Sequence, residues 1–167
     1  MRIRTIAFYF LATIFSQCLA QSSDVDVLTL NGLGSVHLGM SQADLKNLGF
    51  RISEEPSGIE ECVEVILNGN DKVLIMLEND QVTRVSSYDP TIKTEMGISV
   101  GSTERQVKKA YAANLAVSQH QYDEKGHYLI TKSQDGKYAI VFETDGTRVT
   151  VIHAGLEASA QYVEGCA

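Results

Sequence analysis

The segment Val36-His37-Leu38-Gly39-Met40-Ser41-Gln42-Ala43-Asp44-Leu45 returns 62 residues later as Ile98-Ser99-Val100-Gly101-Ser102-Thr103-Glu104-Arg105-Gln106-Val107. Each copy reads apolar-x-apolar-Gly, then a hydroxyl-rich helix start, then an amphipathic run. An internal repeat constrains architecture before any single residue is interpreted. One small unit cannot bury its own apolar face and must lean on its twin.

Local signals fill in the repeats. Ser41 with Asp44, and Thr103 with Gln106, match the capping box of a helix start, and Glu104 favours the positive end of the second helix. Gly49 suits the left-handed position just past a helix end. Val107, Ala110, Tyr111 and Leu115 continue the second helix at helical spacing. Before the first helix, Val25, Val27 and Leu30 alternate as an opening strand, which Asn31-Gly32-Leu33-Gly34 breaks. After it, alternating runs predict strands at residues 62–67, 72–78 and 81–87. After the second helix they predict strands at 127–133, 137–143 and 148–153. The turns between them carry Asn68-Gly69, Asn79-Asp80, Asp135-Gly136 and Asp145-Gly146, which tolerate the positive backbone angles of tight hairpins.

The expectation is an α+β fold of two tandem repeats, each a helix plus a three-strand meander. Together they form one antiparallel sheet of about six strands, with helices on one face and the other face left free. Repeat 1 covers residues 21–88. Residues 89–167 hold a linker around Asp89-Pro90 and repeat 2, the two repeats making one cooperative domain.

Residues 1–20 read as a secretory signal peptide. Arg2 and Arg4 precede an apolar stretch, and Cys18-Leu19-Ala20 places small residues at −3 and −1 of a cleavage site. The expected mature start is Gln21. Acylation at Cys18 is the alternative, against which Phe15-Ser16-Gln17 makes a poor lipobox. No later stretch is long and apolar enough to span a bilayer, so no integral membrane segment is expected after cleavage. Cleavage removes two arginines and no acid, taking the net charge from −7 to −9. An acidic chain without a basic cluster excludes nucleic acid as the expected partner. Two cysteines remain, Cys62 and Cys166. In an oxidising compartment, periplasmic or secreted, they are expected to form a disulfide closing a loop of roughly 105 residues, worth about 4.7 kcal/mol in the chain-entropy model.

The Gly-Met-Ser step of the first repeat, with its short helix ending in Gly49, resembles the start of the BamE (SmpA/OmlA-type) fold. The second copy at Gly101-Ser102-Thr103 makes the chain look like a tandem version, of the kind seen in the β-lactamase inhibitory protein. The resemblance implies one or two helices packed on an antiparallel sheet, in secreted or envelope proteins that bind other proteins. Residues 123–129 and the tail Tyr162-Val163-Glu164-Gly165-Cys166 resemble uncharacterised exported bacterial proteins.

Chemistry in the residues themselves is sparse. The run from His120 to Tyr128 concentrates two His, two Tyr and two acids. His120, His127 and Asp123 or Glu124 fit no standard zinc spacing, so no metal is expected. Glu54-Glu55 and Glu60-Glu61 flank Pro56-Ser57-Gly58 and read as a solvated acidic patch. His37 alternates with Val36 and Leu38 and reads as a solvated strand histidine, and His153 points to no role. No nucleophile elbow, P-loop or dinucleotide fingerprint is present, so neither enzyme activity nor a cofactor is expected. Tyr122, His127 and Tyr128 are the candidate binding residues, because Tyr joins apolar area to a hydroxyl at low entropic cost. Strand alternation places His127 and Tyr128 on opposite faces. The expected function is a non-enzymatic protein-binding module, of inhibitor or immunity type, whose acidity suits a basic target. The alternative is an envelope accessory component of outer-membrane assembly.

Overall fold

The computed structural model describes residues 26–55 and 61–166. The signal segment, Cys18, Gln21, Val25, Pro56-Ser57-Gly58 and Glu60 therefore lie outside the described residues. The chain runs β1 (Val27–Thr29), β2 (Gly32–Leu33), β3 (Val36–His37), α1 (Gln42–Asn47), β4 (Ile52–Glu55), β5 (Cys62–Leu67), β6 (Val73–Glu78) and β7 (Gln81–Ser87). It continues with β8 (Lys93–Thr94), α2 (Glu104–Ala110), β9 (Leu115–Gln119), β10 (His127–Lys132), β11 (Tyr138–Thr144), β12 (Val149–Leu156) and α3 (Glu157–Ala160).

The expected α+β class is overturned. The described chain is mostly β, with an eight-stranded sheet ordered β4-β5-β6-β7-β12-β11-β10-β9 and a four-stranded sheet ordered β3-β2-β1-β8. Its three helices hold six, seven and four residues. Each half contributes a four-stranded meander rather than three strands. The extra strands are β4 and β9, both at sheet edges, where one face gains little burial and alternation is weak in sequence. Leu115 opens β9 instead of extending α2, which ends at Ala110. The Asn31-Gly32-Leu33-Gly34 break and the linker are also structured. They supply β2 and β8, both paired with β1. In β1 it is Leu28 that is buried, while Val27 is exposed.

The repeat is visible in atomic detail. Gly39 N–H donates to Val82 O at 2.8 Å, and Val82 N–H returns to Met40 O at 2.8 Å. Gly101 N–H donates to Val149 O at 2.8 Å, and Val149 N–H returns to Ser102 O at 2.8 Å. Both Gly-containing steps thus dock on the last strand of their own meander. The backbone there needs φ of +84° and +88°, a conformation that costs glycine little. Both capping boxes form, on Ser41 with Asp44 and on Thr103 with Gln106. The two-residue connection of β6 to β7 uses Asn79 and Asp80, both at positive φ, the residue types that bear it best after glycine.

The halves join where β7 pairs with β12, Arg84 opposite Gly155 and Ser86 opposite His153. A Cβ at Gly155 would sit 2.1 Å from Thr83 O, so the junction requires glycine. One face of the large sheet carries the main core, in which Val65, Ile75, Val85, Leu129, Phe142 and Ile152 meet Leu45 of α1, Val107 of α2 and Leu28 of the small sheet. The other face, which the sequence suggested was free, is covered. There α3 packs Ala160 against Ala139 and Val141, and the following residues run over the sheet to Cys166. Cys166 is joined to Cys62, with Sγ atoms 2.03 Å and Cα atoms 5.5 Å apart across a sequence separation of 104. Helices therefore lie on both faces.

Candidate functional site

The face under the C-terminal segment carries a polar track built from side chains of four strands. Alternation aims Glu64 of β5, Arg84 and Ser86 of β7, His153 of β12 and Glu143 of β11 at it, opposite the apolar core. Arg84 is 3% exposed. It donates through Nη1 to Ser159 O at 3.3 Å and Tyr162 O at 2.8 Å, and through Nη2 to Glu64 Oε1 at 2.8 Å. One guanidinium thus pins the C-terminal segment by its backbone. Ser159 Oγ adds a bond to Glu78 Oε2 at 2.5 Å.

Ser86 Oγ and His153 Nδ1 are 2.9 Å apart, and His153 Nε2 lies 3.6 Å from Glu143 Oε2, longer than a hydrogen bond. The trio has the outline of a serine–histidine–carboxylate set. Ser86, however, is 1% exposed and gives no substrate a path to its hydroxyl. Burial pushes the His153 imidazole below its ordinary value, against the pull of Glu143. His153 and His120 together hold the Glu143 carboxyl below its ordinary value, against the cost of its burial. A cavity of about 290 Å³ lies above this floor, bounded by Glu64, Arg84, Tyr88, Glu143, His153 and residues 163–165.

The loop from His120 to Gly126 borders the same face. His120 Nδ1 accepts from Tyr122 N–H and Asp123 N–H, each at 3.0 Å. That nitrogen must be unprotonated. Nε2 therefore carries the proton and donates to Glu143 Oε1 at 2.8 Å. The ring stacks on Tyr128, centroids 4.6 Å apart at 19°, and meets Tyr122 edge-on at 6.4 Å. Gly126 is required beneath it, since a Cβ there would approach Thr144 O to 2.5 Å. The loop's shape thus rests on one histidine.

The three candidate binding residues are not brought together. Tyr122 is 63% exposed, and its hydroxyl donates to the Glu164 carboxylate of the C-terminal segment. That bond, with the charge of Glu164, raises the Tyr122 phenol above its ordinary value. Tyr128 lies on the same face, half-buried beside the segment, where burial raises its phenol. His127 faces the other way, toward α2, as alternation required. Its Nδ1 bonds Glu104 Oε1 at 2.7 Å, and Glu104 also takes Thr144 Oγ1 at 2.7 Å and Lys108 Nζ at 2.8 Å. Burial would raise the Glu104 carboxyl, but the bonds from Lys108, Thr144 and His127 win and hold it at about 2. His127 is thus part of a packing network.

Sequence reasoning missed Arg84, Ser86, Glu143 and His153. One signal was available, a lone arginine inside the apolar strand Val82-Thr83-Arg84-Val85. His153 gains its surroundings because the disulfide draws the tail over it. His37 is exposed and Val36 buried, as alternation suggested, and Glu54 and Glu55 are exposed on β4. Among the described residues no group of three His, Cys, Asp or Glu side chains is placed to hold a metal ion, and no helix is long and apolar enough to cross a membrane.

No family model matches the chain, and no curated protein does. Solved structures are similar to the chain in fold. The uncharacterized protein YfeY from Escherichia coli has a TM-score of 0.51 at 12% identity, over 77% of this chain and 99% of that one. An extracellular protein containing an SCP domain from Bacillus anthracis str. Ames has a TM-score of 0.50 at 11% identity. The match covers 84% of this chain but 49% of that protein, so this chain spans about half its length. At such identities the likeness is one of fold alone. The cysteine pair and an extracellular protein among the fold neighbours are compatible with an exported protein.

Proposed function

We propose that this is an exported protein-binding module, periplasmic or secreted, that meets its partner with the face carrying the C-terminal segment. The observation that carries the reading is Tyr122, 63% exposed yet held at both ends, by the His120-centred loop and by Glu164. A fixed, exposed aromatic contributes contact area without an ordering cost on binding. Tyr162, Val163 and Tyr88 are exposed on the same face. A basic target fits the acidic chain, in the manner of an inhibitor or immunity protein.

The test begins with capture from an envelope extract by the oxidised protein, followed by reconstitution with the purified partner. Tyr122→Ala should weaken that complex about fivefold or more, the loss of about 1 kcal/mol expected of an interface tyrosine. An unchanged affinity would remove this face from the reading. Intact mass of the mature protein separates it from the tethered envelope role, since a lipid adduct on Cys18 would favour the latter.

A further inference from the structure

The two edges of the large sheet are β4 and β9, and they are protected unequally. β4 ends in Glu54-Glu55, and charges on an edge strand discourage strand pairing. β9 is Leu-Ala-Val-Ser-Gln, without charge, proline or glycine. Its pairing with β10 sets the direction of its backbone. His120 N–H donates to Gly126 O, which makes His120 and Gly126 a hydrogen-bonded pair in the same register as Ser118 with Tyr128 and Ala116 with Ile130. Hydrogen-bonded and open pairs alternate in an antiparallel ladder. The N–H and C=O groups of Leu115, Val117 and Gln119 therefore point outward, and no described residue bonds them.

We propose that β9 is a self-association edge, and that its occupant is the β9 of a second copy of this chain. The outward groups call for an extended strand, since only a strand offers donors and acceptors at that spacing. A two-fold axis through Val117 sets Val117 against its twin and Leu115 against Gln119. All three outward residues of each copy are then paired, with no like charges opposed. Val117, 48% exposed, is covered in the same step. The other combinations fail. A β4–β4 ladder would gather four carboxylates, Glu54 and Glu55 of each copy, and pairing β4 with β9 is head-to-tail and need not close. A ladder of five residues falls well short of a standard interface, so the dimer is weak and depends on concentration. The inference is independent of the binding face proposed above.

Sedimentation velocity on the oxidised protein, from about 5 to about 500 µM, the range that a weak interface populates, should show a monomer–dimer equilibrium. Val117→Pro removes an N–H that has no partner within the chain, at an edge position where proline is tolerated. It should raise the dimer dissociation constant at least tenfold with little change in melting temperature. If that variant folds poorly, Val117→Lys tests the same point by opposing two like charges at the axis. Val117→Cys should be joined into a covalent dimer by a short bifunctional maleimide, because the two thiols face each other across the axis. A monomer at every concentration overturns the proposal. So does a dimer that persists undiminished in both Val117→Pro and Val117→Lys, or a Val117→Cys variant that stays monomeric. Pairing of β9 only with an extended segment of another protein overturns the choice of occupant in the same way.

Discussion

The two faces of the eight-stranded sheet are built from the same strands and held by different means. One is covered by α1, α2 and the small sheet around a continuous apolar cluster, where non-directional burial does the work. The other is covered by a short C-terminal segment whose apolar contacts are few. There the closure rests on a disulfide, on Arg84 clasping two carbonyls, and on the Ser159–Glu78 bond. The first face tolerates sequence change of like volume. The second depends on particular donors and acceptors. A face that cannot bury enough area must be pinned, and the pins bring buried polar chemistry with them.

The largest effect should come from the apolar face. Phe142 is fully buried and packs against Tyr111, ring centroids 5.1 Å apart. Phe142→Ala should cost about 3–5 kcal/mol in denaturant unfolding, with loss of cooperativity across both repeats. A stable isolated piece covering residues 21–88 would break the picture of one shared core. On the pinned face, Cys62→Ser should cost about 2–5 kcal/mol. It should also expose the bonds around Tyr162 to protease while the rest of the sheet stays protected. Two free thiols in protein from an oxidising compartment would remove the covalent pin altogether.

Acid should probe the apolar face at Glu104, the one buried carboxylate there among the described residues. The Glu104 side chain is 11% exposed, and its carboxyl is held at about 2 against an ordinary 4.5. A folded value below the unfolded one means that the contribution is complete above pH 4.5 and is lost as pH falls from there through about 2. Its ceiling is about 3 kcal/mol. Glu104→Gln should flatten the acid limb of stability in that window. If wild type and variant lose stability in parallel, the His127–Glu104–Lys108 network contributes nothing particular. The smallest stability effect belongs to Tyr122→Ala, within about 0.5 kcal/mol, as for an exposed residue. A larger fall would make the Tyr122–Glu164 bond one of the pins and sharpen the contrast between the faces.

Local chemistry was legible wherever a few neighbouring residues decide the backbone. Both capping boxes, the glycine steps at Gly39 and Gly101, the Asn79-Asp80 hairpin and the strand at Cys62–Leu67 stand where their residues placed them. The edge strands were not legible. Leu115 satisfies helical spacing with Tyr111, yet it opens β9 and pairs with Thr131 of β10. A strand that buries only part of one side leaves a faint pattern, and its neighbours decide its state. The α+β reading failed for the same reason, since it counted only strongly alternating segments as strands.

What the sequence by itself determined is the repeat, the caps and turns, the separation of His127 from Tyr128, and a pair of cysteines suited to each other. These follow from bond angles, side-chain period and composition, which act over a few residues or over the whole chain at once. Only the tertiary structure decided that the halves meet through β7 and β12, that the tail crosses the second face, and that Arg84, Ser86, Glu143 and His153 converge beneath it. Those residues come from strands up to 69 positions apart. Their meeting depends on cross-strand register and on the path of a covalent link, and no local propensity encodes either.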